Sequence, residues 1–175
     1  PTPFIQALVR MQTADPGFAV NDRLYAYSFI STPGISAAAG RQIYSRVIDE
    51  LKALPGVRNA TISHELPLMP TGSDCVARPN GPRLQITSGS VDPDYFETMK
   101  VDVVAGRKFA ASDSPGSGAV VIVNERLADG LWPNGSPIGE RVMVGCNNTT
   151  AATVIGVARN SSVRSLGENP RPHLY

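Results

Sequence analysis

The sequence predicts an α+β fold made of two small α/β lobes, and three observations carry that expectation. Short stretches of period-two alternation follow one another with short stretches of helical spacing. Sixteen glycines and 15 prolines are more than an all-helical chain accommodates, because each breaks a helix interior or forces a turn. Residues 67–82, with four prolines and two glycines, interrupt the pattern and mark where one lobe gives way to the other. At 175 residues, 42% hydrophobic and 18% charged, the chain is long and apolar enough to build a core and unlike a disordered polypeptide.

Taken in order, Phe4, Ile5, Leu8 and Met11 have helical spacing, so residues 4–12 read as a short amphipathic helix that stops near Asp15-Pro16-Gly17. From Leu24 to Ile30 the aromatics Tyr25, Tyr27 and Phe29 alternate with other residues, the pattern of a strand. Ser36 is placed to cap a helix whose stripe is Ile43, Val47, Leu51 and Leu54, widened by Tyr44 and Ile48 and closed by Pro55-Gly56. Residues 57–64 alternate again, which would complete a βαβ unit. Beyond the Pro-rich connection, 83–91 reads as a strand, Asp92-Pro93 as the opening of a short helix through Met99, and 101–105 as a strand stopped by Gly106. Ala119–Val123 is short, apolar and β-branched, as a buried strand should be, and Asn124 can cap a helix over 125–131 that ends at Trp132-Pro133. Residues 142–146 and 153–158 flank Asn147-Asn148-Thr149-Thr150 as two antiparallel strands. The chain stops at His173-Leu174-Tyr175 within what reads as a strand, the pattern expected of a piece of something longer.

The charge pattern excludes one function class. A formal net charge of +1 with no block of like charge lacks the electrostatic footprint of a nucleic-acid binder. No run approaches the roughly 20 apolar residues of a membrane helix, and the first residues lack a signal-peptide layout, so the segment reads as soluble.

No catalytic constellation emerges. His64-Glu65 lacks the second histidine of HExxH and reads as a strand-end pair. Asp92, Asp94 and Glu97 lack the glycine and closing glutamate of a calcium loop and read as caps. Gly116-Ser117-Gly118 precedes a strand, whereas a phosphate cradle follows one. There is no GxSxG, and Trp132 reads as a core or cap residue. Five N-x-[ST] sequons, at Asn59, Asn134, Asn147, Asn148 and Asn160, matter only where the source glycosylates. Cys75 and Cys146 are compatible with two separate thiols or with one disulfide closing a loop of about 70 residues. With only His64 and His173 beside them they form no zinc set, so the expected catalytic, cofactor and metal residues are none.

Ten short segments, in order, carry a family resemblance. They are Asp15-Pro16-Gly17-Phe18, Leu54-Pro55-Gly56-Val57, Leu66-Pro67-Leu68, Val91-Asp92-Pro93-Asp94-Tyr95-Phe96, Gly106-Arg107-Lys108-Phe109, Val123-Asn124-Glu125, Leu131-Trp132-Pro133, Pro137-Ile138-Gly139-Glu140-Arg141, Val154-Ile155-Gly156-Val157 and Pro170-Arg171-Pro172. From about residue 15 to its end the chain resembles the MacB-like periplasmic core domain of ABC transporter permeases, and more closely the duplicated orphan permeases of the FtsX/MacB class. One departure is Asn160, where the family pattern has an aspartate, so a charged contact is not expected there.

The resemblance implies a non-catalytic extracytoplasmic domain between the first two membrane helices of a permease. Residues 1–15 would extend the first membrane helix. Residues 16–66 would form a membrane-proximal βαβ, porter-like lobe, 67–160 a distal mixed-sheet lobe, and 161–175 a return to the proximal one. It implies ATP bound on a separate cytoplasmic ATPase and no cofactor in this domain. Its implied partners are the parent membrane helices, a periplasmic adaptor and a second copy in the intact transporter. The implied role is transmission of ATP-driven motion for export or efflux. A competing expectation from the same residues is a small-ligand-binding or sensory module that uses a cleft between the lobes.

Overall fold

A computed structural model describes residues 5, 6, 9, 12–26, 36–69, 73–113, 116–147 and 149–175, with Ala37 described by its backbone alone. Of the expected helix over 4–12, Ile5, Gln6, Val9 and Gln12 are helical, as is Thr13 just past it, and Phe4, Leu8 and Met11 lie outside the described residues. Helix α1 runs Ala37–Ala53, and the Ser36 side chain accepts from Ala39 N at 3.2 Å, as the capping pattern predicts.

The described strands are β1 (Ser73–Ala77), β2 (Leu84–Ser88), β3 (Val103–Gly106), β4 (Ala119–Asn124), β5 (Arg141–Val144), β6 (Thr150–Ala158) and β7 (His173–Leu174). Helix α2 (Tyr95–Met99) lies between β2 and β3, and α3 (Glu125–Leu131) follows β4. All seven strands form one mixed sheet in the order β3-β6-β4-β7-β2-β1-β5, and β5 pairs again with β6. Six of them therefore close into a ring, with β3 added beside the second half of β6. The β4–β6 and β2–β7 pairs are parallel and the others antiparallel, including the expected β5–β6 pair.

Two cores lie on opposite faces of β4 and β6. One takes a residue from every strand of the ring, among them Val76, Ile86, Val123, Val142, Val154 and Leu174, and α3 adds Leu127 and Ala128 with Trp132 behind them. The other joins Ile122 of β4 and Ile155 and Ala158 of β6 to Tyr95, Phe96 and Met99 of α2, with Phe18 and Tyr175. Alternate residues of Ala119–Asn124 thus enter different cores, which is why that segment is apolar without a break. Gly106 and Gly156 face each other across β3 and β6. A Cβ on Gly106, which sits at φ +73°, would stand 2.2 Å from Ile155 O, so only glycine allows that closeness.

Four expectations need correction. The βαβ unit is not found among the described residues. Residues 24–26 carry no strand, 27–30 lie outside the described residues, and 57–64 contribute only the single bridge Ser63–Val91. Alternation was present there, but a strand also needs a neighbour along its length. Second, the connection 67–82 contains β1, a short polar strand held by pairing with β2 and β5. Third, residues 173–174 do not return to the N-terminal part. Strand β7 is inserted between β4 and β2, where Leu174 and Tyr175 are buried. Residues 162 and 163 do meet the N-terminal segment, through Ser162 N to Pro16 O (2.7 Å) and Leu68 N to Val163 O (2.9 Å). Fourth, Asp92 is not the cap of α2. That position is Asp94, whose side chain makes no capping bond, while the Asp92 carboxylate accepts from Asp94 N and from residues 61 and 62.

Candidate functional site

Helix α1 and the exposed residues 54–57 that follow it form an arm beside the sheet. Its stripe is amphipathic as expected, yet Ile43, Val47, Leu51 and Leu54 are 38–52% exposed. The sheet therefore does not cover the face that the sequence built for burial. Among the described residues, α1 is bonded to the segment before α2 through the ion pair Lys52 Nζ–Asp94 Oδ2 at 2.5 Å, with both partners about 40% exposed. Such a pair contributes on the order of 0–1 kcal/mol and raises the Lys52 pKa through its hydrogen bond to Asp94.

What fixes the arm is a pair of straps, one on each side. The incoming strap, residues 16–23, buries Phe18 in the α2 core, donates Ala19 N to Met99 O (2.7 Å) and donates Arg23 Nε to Thr98 O (3.0 Å). Gly17, at φ +76°, lies so close to Asn160 that an added Cβ would stand 2.6 Å from its carbonyl oxygen. The outgoing strap, residues 60–68, is held by the Asp92 carboxylate. Its Oδ2 accepts from Ile62 N (3.0 Å), while Oδ1 accepts from the Thr61 hydroxyl and from Asp94 N (3.1 Å). Asp92 N donates back to Ile62 O (3.1 Å), and His64 N donates to Ser90 O (2.8 Å). Both straps thus grip residues 90–99, which in turn sit on β4, β6 and Tyr175 through the buried rings of Tyr95 and Phe96. Burial raises the Tyr95 and Tyr175 phenols above their ordinary range, so both stay neutral.

Behind the outgoing strap lies a cleft lined by Ser63, Glu65, Gly89, Ser161, His173 and Tyr175 among others, with about 20 Å³ of room for water-sized atoms. That volume suits one or two waters and no larger ligand unless its walls move. His173 is buried there, 2.8 Å from the Thr87 hydroxyl through Nδ1 and edge-on to the Tyr175 ring. Burial holds its pKa down to about 4, so it is neutral near pH 7.

The remaining expected sites fall as follows. His64 is exposed at a bend, Gly116 and Gly118 form a turn before β4, and Trp132 is buried at the end of α3. Asp92 holds the outgoing strap, Asp94 pairs with Lys52, and Glu97 lies in the first turn of α2. Cys75 and Cys146 stand at disulfide distance, with S–S 2.07 Å and Cα–Cα 4.7 Å, and tie β1 to the residues after β5. Among the described residues no group of three or more His, Cys, Asp or Glu could hold a metal ion, and no helix is long and apolar enough to cross a membrane. Sequence reasoning missed the double role of Asn124. It caps α3 through Leu127 N (3.0 Å) and also accepts from His173 N (2.9 Å) and donates to Arg171 O (2.8 Å) and Asn160 Oδ1 (2.9 Å). Asn160 Oδ1 also accepts from Arg126 N (3.0 Å), so the position that departs from the family pattern still serves as an acceptor.

The comparisons with known proteins agree with this architecture. The profile of the MacB-like periplasmic core domain matches residues 5–171. The chain is similar to the ABC transporter permease YvrN of Bacillus subtilis (strain 168), 23% identical over 146 residues that cover 82% of this chain and 34% of that protein. Its fold is similar to the extracellular domain of the noncanonical ABC-type transporter YknZ from Gram-positive bacteria. There the TM-score is 0.54 at 23% identity, covering 74% of this chain and 59% of that one. It is also similar to the periplasmic region of MacB from Actinobacillus actinomycetemcomitans. There the TM-score is 0.52 at 17% identity, covering 74% and 61%. The chain thus spans about a third of the permease and about three fifths of the solved domains.

Proposed function

The chain belongs to the family of MacB-like periplasmic core domains, an extracytoplasmic domain of the ABC transporter permease type, and from that premise we propose that it is a non-catalytic transmission element for export or efflux. The α1 arm moves with the parent membrane helices, and the sheet presents its outer surface to an envelope partner such as a periplasmic adaptor, or to the substrate. ATP is bound and hydrolysed by a separate cytoplasmic ATPase, this domain needs no cofactor, and two copies work together in the intact transporter.

The single observation that carries this reading is the way the arm is attached. Among the described residues the exposed Lys52–Asp94 pair links α1 to the segment before α2, and the straps that flank it are held on residues 90–99 and 160–163, the arrangement of a lever rather than of a closed core. The small size of the cleft weighs against the ligand-binding alternative.

The test uses the intact permease with its ATPase in lipid nanodiscs. A dye at Glu140→Cys, exposed before β5, transfers energy to labelled lipid headgroups. The proposal expects ATP with vanadate to change the transfer relative to the nucleotide-free state. An unchanged transfer, with ATP hydrolysis verified, would remove the transmission role.

A further inference from the structure

Where Cys75 and Cys146 are bonded, the geometry points to a thiol-exchange site that selects its reactant by charge, with Asp74 setting the selectivity. Asp74 directly precedes Cys75 in β1. Its Oδ1 accepts from Cys75 N at 2.7 Å and stands 4.0 Å from Cys146 Sγ, while Oδ2 accepts from the Ser88 hydroxyl at 3.5 Å. One carboxylate oxygen is thus held between the backbone of one cysteine and the sulfur of the other. Asp74 and both cysteines are half-buried, which leaves the sulfurs within reach of a small thiol and reduces the water that screens the carboxylate. Among the described residues the other charge bonded to the pair is Arg83, whose Nη1 donates to Cys146 O. It is exposed and bonds to main chain, whereas Asp74 borders the sulfur itself.

Exchange begins when a thiolate attacks one sulfur of the pair. A new S–S bond forms to the attacking thiol, the Cys75–Cys146 bond breaks, and its electron pair leaves on the other cysteine sulfur, which takes a proton from water. A second thiolate then releases the mixed disulfide, so two small thiols are oxidised to their own disulfide and the cysteine pair gains two electrons and two protons. Asp74 opposes either route. Attack at Cys146 brings an anion toward the carboxylate, and attack at Cys75 expels the Cys146 thiolate beside it, where a negative neighbour disfavours the charged form. A unit charge about 4 Å away changes such a rate by about 5-fold even at the dielectric constant of water. The repulsion grows when the attacking thiol carries a second negative charge and falls when an ammonium group offsets its thiolate. The site therefore reacts with cationic and neutral thiols in preference to acidic ones.

The rate of disulfide loss in the 175-residue chain tests this with neither ATP nor a membrane present. Alkylation and mass spectrometry first count the thiols of the chain purified without reductant, and two free thiols per chain would overturn the inference at its base. Wild type and Asp74→Asn, which keeps an acceptor for Cys75 N, are then reduced by mercaptopropionate, mercaptoethanol and cysteamine at equal thiolate concentration. The variant should react about 5-fold faster than the wild type with mercaptoethanol, gain more with mercaptopropionate and gain less with cysteamine. Each gain should shrink in about 0.5 M KCl, where the Debye length falls to a few ångströms. The inference is overturned if Asp74→Asn is no faster or if salt leaves the gain unchanged. It is also overturned if the three thiols gain equally, because a looser strand would expose the sulfurs to all of them alike.

Discussion

Asn124 is 1% exposed and its side-chain bonds end on three pieces of chain: the first turn of α3, Asn160, and the segment that holds Arg171 and His173. Truncation leaves Leu127 N and His173 N without their acceptor in the core, so Asn124→Ala should lower stability by about 2–4 kcal/mol, read from urea unfolding. His173, next along that network, sets a pH dependence. Its folded pKa of about 4 lies below the ordinary 6.5, so between those values the unfolded chain binds the extra proton. Stability from this residue is therefore complete above pH 6.5 and is lost as pH falls toward 4, by at most about 3 kcal/mol. Urea midpoints at pH 7 and pH 4.5 should differ more in the wild type than in His173→Gln; an equal difference would assign the acid sensitivity to other groups. The capping half of Asn124 was legible in the sequence, because a cap is a local matter of three residues. Its ties to Arg171 and His173 were not, because they depend on which strand lies beside β4.

At the scale of elements, what the sequence made visible was whatever local spacing decides. Helix α3 and its cap, α1 and its cap, and the apolar β4 follow from periodicity and side-chain chemistry within a few residues. Strands β1 and β7 were hidden or half hidden, since Ser73–Ala77 is polar at its start and His173–Leu174 is two residues long. Each is a strand only because its neighbours complete it. Residues 57–64 show the converse, alternation without a partner strand, which yields one bridge. The role of Asp92 was equally hidden: it reads as a helix cap until residue 62 is placed against it. The disulfide belongs to this scale too. We propose that Cys75 and Cys146 bond in the oxidising compartment and so compensate for the mere two residue pairs by which β1 holds β5. Reduction should then cost up to about 4 kcal/mol, by the chain entropy of a 71-residue separation, and shift the urea midpoint down. A midpoint indifferent to reductant, with thiols counted before and after, would contradict this.

For the whole molecule, a closed strand ring filled by one core is a body that moves as a unit, because its interior is packed from every strand. The α1 arm stands outside it, with its apolar stripe exposed and its two straps on residues 90–99 and 160–163. The central claim is that motion delivered to the arm arrives at the ring undiminished. It is tested most directly in the intact permease with its ATPase in nanodiscs, by comparing energy transfer to labelled lipid headgroups from a dye at Arg46→Cys on α1 and from one at Glu140→Cys on the ring. The account predicts that both distances to the bilayer change together on addition of ATP and vanadate. A change at Arg46→Cys with none at Glu140→Cys would contradict it.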